Sequence, residues 1–253
     1  MNCKIVILFI SIFLALGLSA CKQEQPEPAP QGQANDQSAG QTPAAPEIKP
    51  APQEKLEPIA LVLPKPQFVG TPEAIEGVEN LEKPLGTARP AFLAPAGTEA
   101  VSRDKPVTAS ETEPIIGTLE MIVDGDKEAG DGSIVEFGPF TQWVQIDLKK
   151  ECQIYAIVLW HYHKGARVYF DVVVQVSNDP EFVTDVTTVF NNDHDNSSGL
   201  GVGKDQNYVE TAEGKLIDAK TARGRYVRCY SSGNSQNDMN HYIEVEVFGK
   251  PVQ

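Results

Sequence analysis

QWVQIDLKKECQIYAIVLWHYHKGARVYFDVVVQVSND, running from Gln142 to Asp179, decides the fold. It holds three apolar runs rich in Val, Ile, Leu, Tyr and Trp, separated by charged or glycine-containing turns. Residues of this kind at this length suit half-buried strands. The polar segment from His161 to Tyr169 lies between two of the runs. It is expected to be a loop held by a stiff sheet, the kind of place where ligand contacts concentrate.

Outward from this stretch, alternation and turn residues predict strands over 144–148, 154–160, 172–176, 186–190, 226–230 and 243–248, with a short seventh over 215–217. Only 114–121 reads as weakly helical or turn-like. Several short strands with no long helical pattern between them argue for an all-β protein, an antiparallel β-sandwich or jelly roll.

Ahead of the strands the chain changes character. Lys4, the apolar run Ile5 to Leu18 and then Leu18-Ser19-Ala20-Cys21 read as a secretory signal over 1–20. The run is shorter than the roughly 20 apolar residues a membrane-spanning helix needs. LSAC is similar to the bacterial lipobox, which implies lipidation at Cys21 and a lipoprotein of the bacterial cell envelope, facing the periplasm or the exterior. Residues 21–58, rich in Pro, Gln, Glu and Ala, bury too little to offset the entropy of ordering and read as a disordered tether. In 59–99 proline breaks nearly every apolar run, so this part reads as an irregular lead-in packed along the domain.

The net charge of -14 argues against nucleic acid, whose phosphates are bound by Lys and Arg releasing counterions. It disfavours anionic headgroups for the same reason and leaves the acyl anchor as the membrane contact. Beyond Cys21, the cysteines Cys152 and Cys229 each lie in a strand-like run. An exported chain can hold them as a disulfide or as two buried thiols. No CxxC or Cys/His cluster suggests structural zinc.

Six pieces then carry a family resemblance: KPVTAS (105–110), VDGD (123–126), QWVQIDL (142–148), IVLW (157–160), ARGRYVRCYSSGN (222–234) and EVEVFG (244–249). They stand in the order seen in discoidin domains, also called F5/8 type C domains, a galactose-binding-like group that includes carbohydrate-binding modules. The likeness covers about 100–250 and implies a jelly roll whose loops at one end bind the ligand.

In sugar-binding members a His and an Arg a few residues apart, with a later Asn and an aromatic, hold hydroxyl groups. The resemblance implies His161, His163 and Arg167 for the first part, and Asn191 or Asn192 with Asp193 and Asp195 for the second. Sugar hydroxyls both donate and accept, so amide, carboxylate and guanidinium groups satisfy them. Tyr162 or Tyr169 would cover the apolar face of the ring. NNDHDNSSGLG also has the composition of a long turn. Asp124, Asp126 and Glu244 match the acidic positions that close a structural calcium site in many members, and VDGD supplies hard oxygen ligands on a tight turn. The Thr that usually follows that motif is absent.

A rival of another class is a cupin-like metalloenzyme using His161 and His163, which would share one face of a strand. No third ligand stands at a suitable distance. No GxSxG occurs, and nothing places two carboxylates across a cleft for glycoside hydrolysis. The sequence therefore predicts a non-catalytic, lipid-anchored module that binds a glycan or a surface protein through loops at one end, or an assembly module of the envelope.

Overall fold

A computed structural model describes residues 54–66 and 75–252. The signal over 1–20, Cys21 and almost all of the tether lie outside the described residues. In chain order the strands are β1 (Leu56–Pro58), β2 (Leu93–Pro95), β3 (Glu99–Ala100), β4 (Val107–Ala109), β5 (Val135–Phe137), β6 (Gln142–Trp160), β7 (Val173–Ser177), β8 (Thr187–Asn191), β9 (Lys215–Ser231), β10 (Asn240–Tyr242) and β11 (Glu244–Pro251). A single 3-10 turn covers Leu119–Val123. The protein is an all-β antiparallel jelly roll.

Two strands expected as separate pieces are continuous. β6 spans what reads as two runs, and β9 joins 215–217 to 226–230. The charged KKE interrupts alternation without ending the strand. Asp147 pairs with Tyr226 and the next pair is Cys152 with Gly224, so the ladder slips across 149–151, where Lys149 has φ +68°. A bulge bends a strand and lets it pass from one sheet layer to the other. Before it, β6 lies between β4 and β9, with β7 and β8 beyond. After it, β6 lies between β11 and β9.

This bend sets which faces are buried. In the first half Val144, Ile146 and Leu148 point into the main core while Trp143 and Asp147 point outward. In the second half Ile154, Ile157 and Leu159 face the main core, and Tyr155, Ala156, Val158 and Trp160 form a second apolar cluster with Ile59, Ala94 and Phe248. A segment expected to be half-buried is thus covered on both faces, because 54–66 and 88–95 lie across its outer side. β1 pairs with β2 there, and the Arg89 guanidinium donates to the carbonyls of Glu213 and Gly214 at 2.8 and 2.6 Å. Cys152 and Cys229 are free, buried thiols, and burial pushes Cys229 up to about 12.

Gly224 stands where the two layers part. A Cβ there would come within 2.5 Å of Val176 Cγ1 and 2.8 Å of the Ser177 carbonyl oxygen. Gly224→Ala must push β7 away from β9 and is expected to cost about 1–3 kcal/mol, the usual penalty for overpacking. Urea unfolding checks it, and a midpoint equal to wild type would refute the close packing.

Candidate functional site

Both ends of the bent sheet meet at one pole. Glu244 pairs with Trp160 at the end of β6, while two residues earlier the Tyr242 hydroxyl lies 3.2 Å from the Cys229 carbonyl and 3.0 Å from Ser231 Oγ at the end of β9. The loop after β6 is joined to the loop after β9 by backbone bonds: Phe170 to Gly233, Ser232 to Phe170 and Ser235 to Val168. β10 pairs with β5 and sets His241 opposite Glu136.

Inside this pole the residues form a chain of contacts. His161 is fully buried, stacks on Tyr169 with ring centroids 4.3 Å apart, and its Nδ1 lies 2.6 Å from Glu210 Oε1. A carboxylate can only accept, so Nδ1 carries the proton. The Tyr169 hydroxyl lies 2.9 Å from His241 Nδ1, and His241 Nε2 lies 3.0 Å from Glu136 Oε2. Glu136 accepts, so Nε2–H donates and Nδ1 takes the tyrosine hydroxyl proton, which is the neutral imidazole. Burial lowers the pKa of His241, and the nearby Arg167 charge adds to this against the opposing pull of Glu136. Burial raises that of Tyr169 in turn.

Arg167 closes the chain at the surface. Its guanidinium lies over the Tyr162 ring at 4.8 Å and has no carboxylate within 4.0 Å among the described residues. Tyr162 also packs against His241, with centroids 6.0 Å apart. The partly buried Arg167 guanidinium, whose Nε has no hydrogen-bond partner among the described residues, a tyrosine face and the Glu136 carboxylate therefore lie together. Such a set can donate to hydroxyls, accept from them and cover an apolar ring face.

The sequence-derived residues divide three ways. Arg167 and Tyr162 are at the surface of the pole. His161 and Tyr169 lie beneath it and are sealed from solvent, where they support the outer groups. His163 is buried as well, with Nε2 3.0 Å from the Lys127 carbonyl. The cupin-like pair does not form: both histidines follow the end of β6, their rings are engaged by different partners, and neither joins a group of three metal-ligating side chains among the described residues.

Asn191, Asn192, Asp193 and Asp195 build a separate loop that closes on itself. Asn192 Oδ1 accepts from Val172 N and its Nδ2 donates to Asn207. Asn191 Oδ1 accepts from Asp193 N and its Nδ2 donates to the Gly201 carbonyl. Asp193 accepts from the amides of Ser197 and Ser198 and from the Ser198 hydroxyl, and Asp195 accepts from Ser197 N. Asp171, Asp193 and Asp195 bring one oxygen each within 4.8 Å of one another. The carboxylates of Asp193 and Asp195 are already accepting bonds from their own turn.

The proposed calcium ligands do not gather as expected. Asp124 Oδ1 accepts from Asp126 N, Asp126 accepts from Glu128 N and the Ser133 hydroxyl, and Glu244 Oε2 accepts from Gly125 N at 2.9 Å. Among the described residues the three carboxylates do not bring their oxygens together in one group. Glu244 is buried, and that burial, with Glu246 and Asp124 nearby, pushes its carboxyl up to about 8 against the Gly125 amide and Lys127.

A folded Glu244 that holds its proton to about 8, against about 4.3 in the unfolded chain, binds more protons folded than unfolded between those values. Stability then falls as pH rises through that window. The melting temperature is expected to drop from pH 7 to 8.5, and Glu244→Gln should remove most of the slope. Equal slopes in the two proteins would refute this assignment.

Residues 121–229 match the family model described as the NedA-like, galactose-binding domain of the F5/8 type C class. The chain carries a discoidin-like domain. No curated protein matches it significantly. Among solved structures it is similar to the family 32 carbohydrate-binding module of AlyQ in complex with 4,5-unsaturated mannuronic acid, at 18% identity and a TM-score of 0.43, covering 58% of this chain and 96% of that one. It is also similar to the family 89 glycoside hydrolase from Clostridium perfringens, at 20% identity and a TM-score of 0.44, covering 60% of this chain and 15% of that one. A third is chitosan-binding module 1 of the chitosanase/glucanase from Paenibacillus sp. IK-5, at 19% identity and a TM-score of 0.41, covering 60% and 99%.

Sequence reasoning missed three residues of the discoidin-like domain's pole: His241, Glu136 and Glu210. His241 had a usable signal, a histidine between the Asn-rich turn 234–240 and the last strand. Glu136 and Glu210 had none, because each reaches the pole only through a long-range pairing.

Proposed function

We propose that the pole formed by Arg167, Tyr162, His241 and Glu136 binds carbohydrate, and that the domain acts by recognition and not by catalysis. The observation that carries this is the Arg167 guanidinium resting on the Tyr162 ring with no carboxylate partner among the described residues. A charged fork left unpaired at the surface, beside an aromatic face and a carboxylate, offers a sugar both fixed hydrogen bonds and ring contact. The description of the matching family as galactose-binding-like supports the same reading. A glycan array probed with the chain tests it: saturable binding to a defined sugar supports the reading, and no binding to any glycan counts against it.

A surface protein is the second reading, favoured by exposed apolar side chains near the same pole. Phe140 is 82% exposed at φ +70°, with its carbonyl held by the buried Asn240 amide, and Ile115 is 58% exposed on the segment hydrogen-bonded to Glu136. Large exposed apolar groups mark interaction sites. Changing Phe140 and Ile115 together to Ser would abolish a protein contact and leave a sugar contact through Arg167 in place.

We further propose that Cys21 is acylated and that the tether presents the domain from a bacterial envelope membrane. Supporting this are LSAC behind the apolar run and the Pro/Gln-rich stretch that follows. Palmitate labelling that is lost in Cys21→Ser is the expected result.

A further inference from the structure

The VDGD turn meets β11 around a group of acids: Asp124 in the turn, and Glu244 and Glu246 on the strand. Lys127, three residues after Asp124, turns its side chain inward to this group. The residue is only 9% exposed, and its Nζ lies 2.5 Å from Glu246 Oε1 and 5.4 Å from the centroid of the Trp160 ring. We propose that Lys127 is the built-in cation of this domain: its ammonium, not a divalent ion, holds the acidic turn against the last strand.

Three further contacts point the same way. The Lys127 carbonyl, an oxygen a metal could have used, takes the His163 imidazole at 3.0 Å. A second cation covers the turn from its other side: Arg103 packs so closely on Gly125 that a Cβ there would fall 1.3 Å from Nη1, and Gly125 has φ +80°. Asp124 and Asp126 hold the turn's own amides. A calcium ion needs six to eight oxygens, and here it would meet the Lys127 ammonium and the Arg103 guanidinium, with Asp124, Glu244 and Glu246 each already engaging one carboxylate oxygen. The ammonium also explains how Glu246 is accommodated at 9% exposure, since a buried carboxylate requires a paired charge.

Thermal unfolding of the full chain tests this, with millimolar CaCl2 or EGTA as the only additive. Wild type and Asp124→Asn are expected to respond to CaCl2 alike. Lys127→Met is expected to lower the melting temperature by roughly 6–20 °C, because it strands a buried carboxylate. The double variant Lys127→Met/Glu246→Leu should recover most of that loss, since apolar replacement of both partners removes the stranded charge. A CaCl2-dependent rise in wild type that Asp124→Asn abolishes would overturn the proposal, as would a Lys127→Met protein as stable as wild type. If Lys127→Met fails to fold, the comparison of wild type with Asp124→Asn decides alone.

Discussion

Arg167→Ala is expected to weaken sugar binding about 10- to 150-fold, the equivalent of losing charge-assisted hydrogen bonds contributing roughly 1.5–3 kcal/mol. Among the described residues Arg167 has no carboxylate partner within 4.0 Å. Asp147 holds Arg225 through two bonds of 2.7 and 2.9 Å, which push the Asp147 carboxyl well below the usual carboxylate range. Arg225 therefore has its charge answered within the protein. The Arg167 guanidinium lies over the Tyr162 ring, and its buried Nε has no hydrogen-bond partner among the described residues. Removing it should cost the fold little, about 0.5–1 kcal/mol for a partly exposed cation–π contact, while the ligand loses a fixed fork of donors. Arg167→Lys separates charge from geometry, because an ammonium keeps the charge and cannot reproduce the planar fork. It should fall between wild type and Ala. Titration calorimetry with a glycan found by array measures all three. Equal affinity in wild type and Arg167→Ala, with melting temperatures also equal, would remove this residue from the site.

The fold was legible because its determinants are local. Val144, Ile146 and Leu148 alternate with Trp143 and Asp147, and that period of two is enough to assign a strand and its buried face. The bend at 149–151 was half legible. KKE marks an interruption, but whether a strand ends there or bulges depends on a partner 75 residues away at Gly224. The double burial of 152–160 was not legible from its own residues, since it depends on Ile59 and Ala94 lying across them. At the site, HYHKGAR announced a polar loop, and Arg167 does reach the surface. Tyr169 and His161 carry the same chemistry in sequence, yet the stacking of one ring on the other sends both inward. Burial of a single polar residue is decided by the loop's path, here fixed by backbone bonds to 232–235, and no periodicity encodes that.

Glu210→Ala is expected to cost as much stability as Lys127→Met. Glu210 Oε1 accepts from His161 Nδ1 at 2.6 Å, and both side chains are fully shielded from water. Truncating Glu210 leaves the buried His161 N–H without its acceptor and opens a cavity, which together cost roughly 3–5 kcal/mol. For a domain of this size that is a fall of roughly 6–20 °C in melting temperature. An exposed pair gives the contrast. Lys164 and Asp131 lie as close, at 2.7 Å, but are 43% and 86% exposed, so Asp131→Ala should change stability by about 0–1 kcal/mol. Glu210→Gln distinguishes the lost bond from lost volume: its amide oxygen can still accept the His161 Nδ1 proton, so it should keep well over half of the stability that Ala loses. The backbone amide of Glu210 donates to the Arg167 carbonyl at 2.9 Å in every variant, so whatever protein remains folded should still present the guanidinium. Differential scanning calorimetry of the three proteins decides the matter. If Gln and Ala are equally destabilising, the hydrogen bond to His161 is not what holds the pole together.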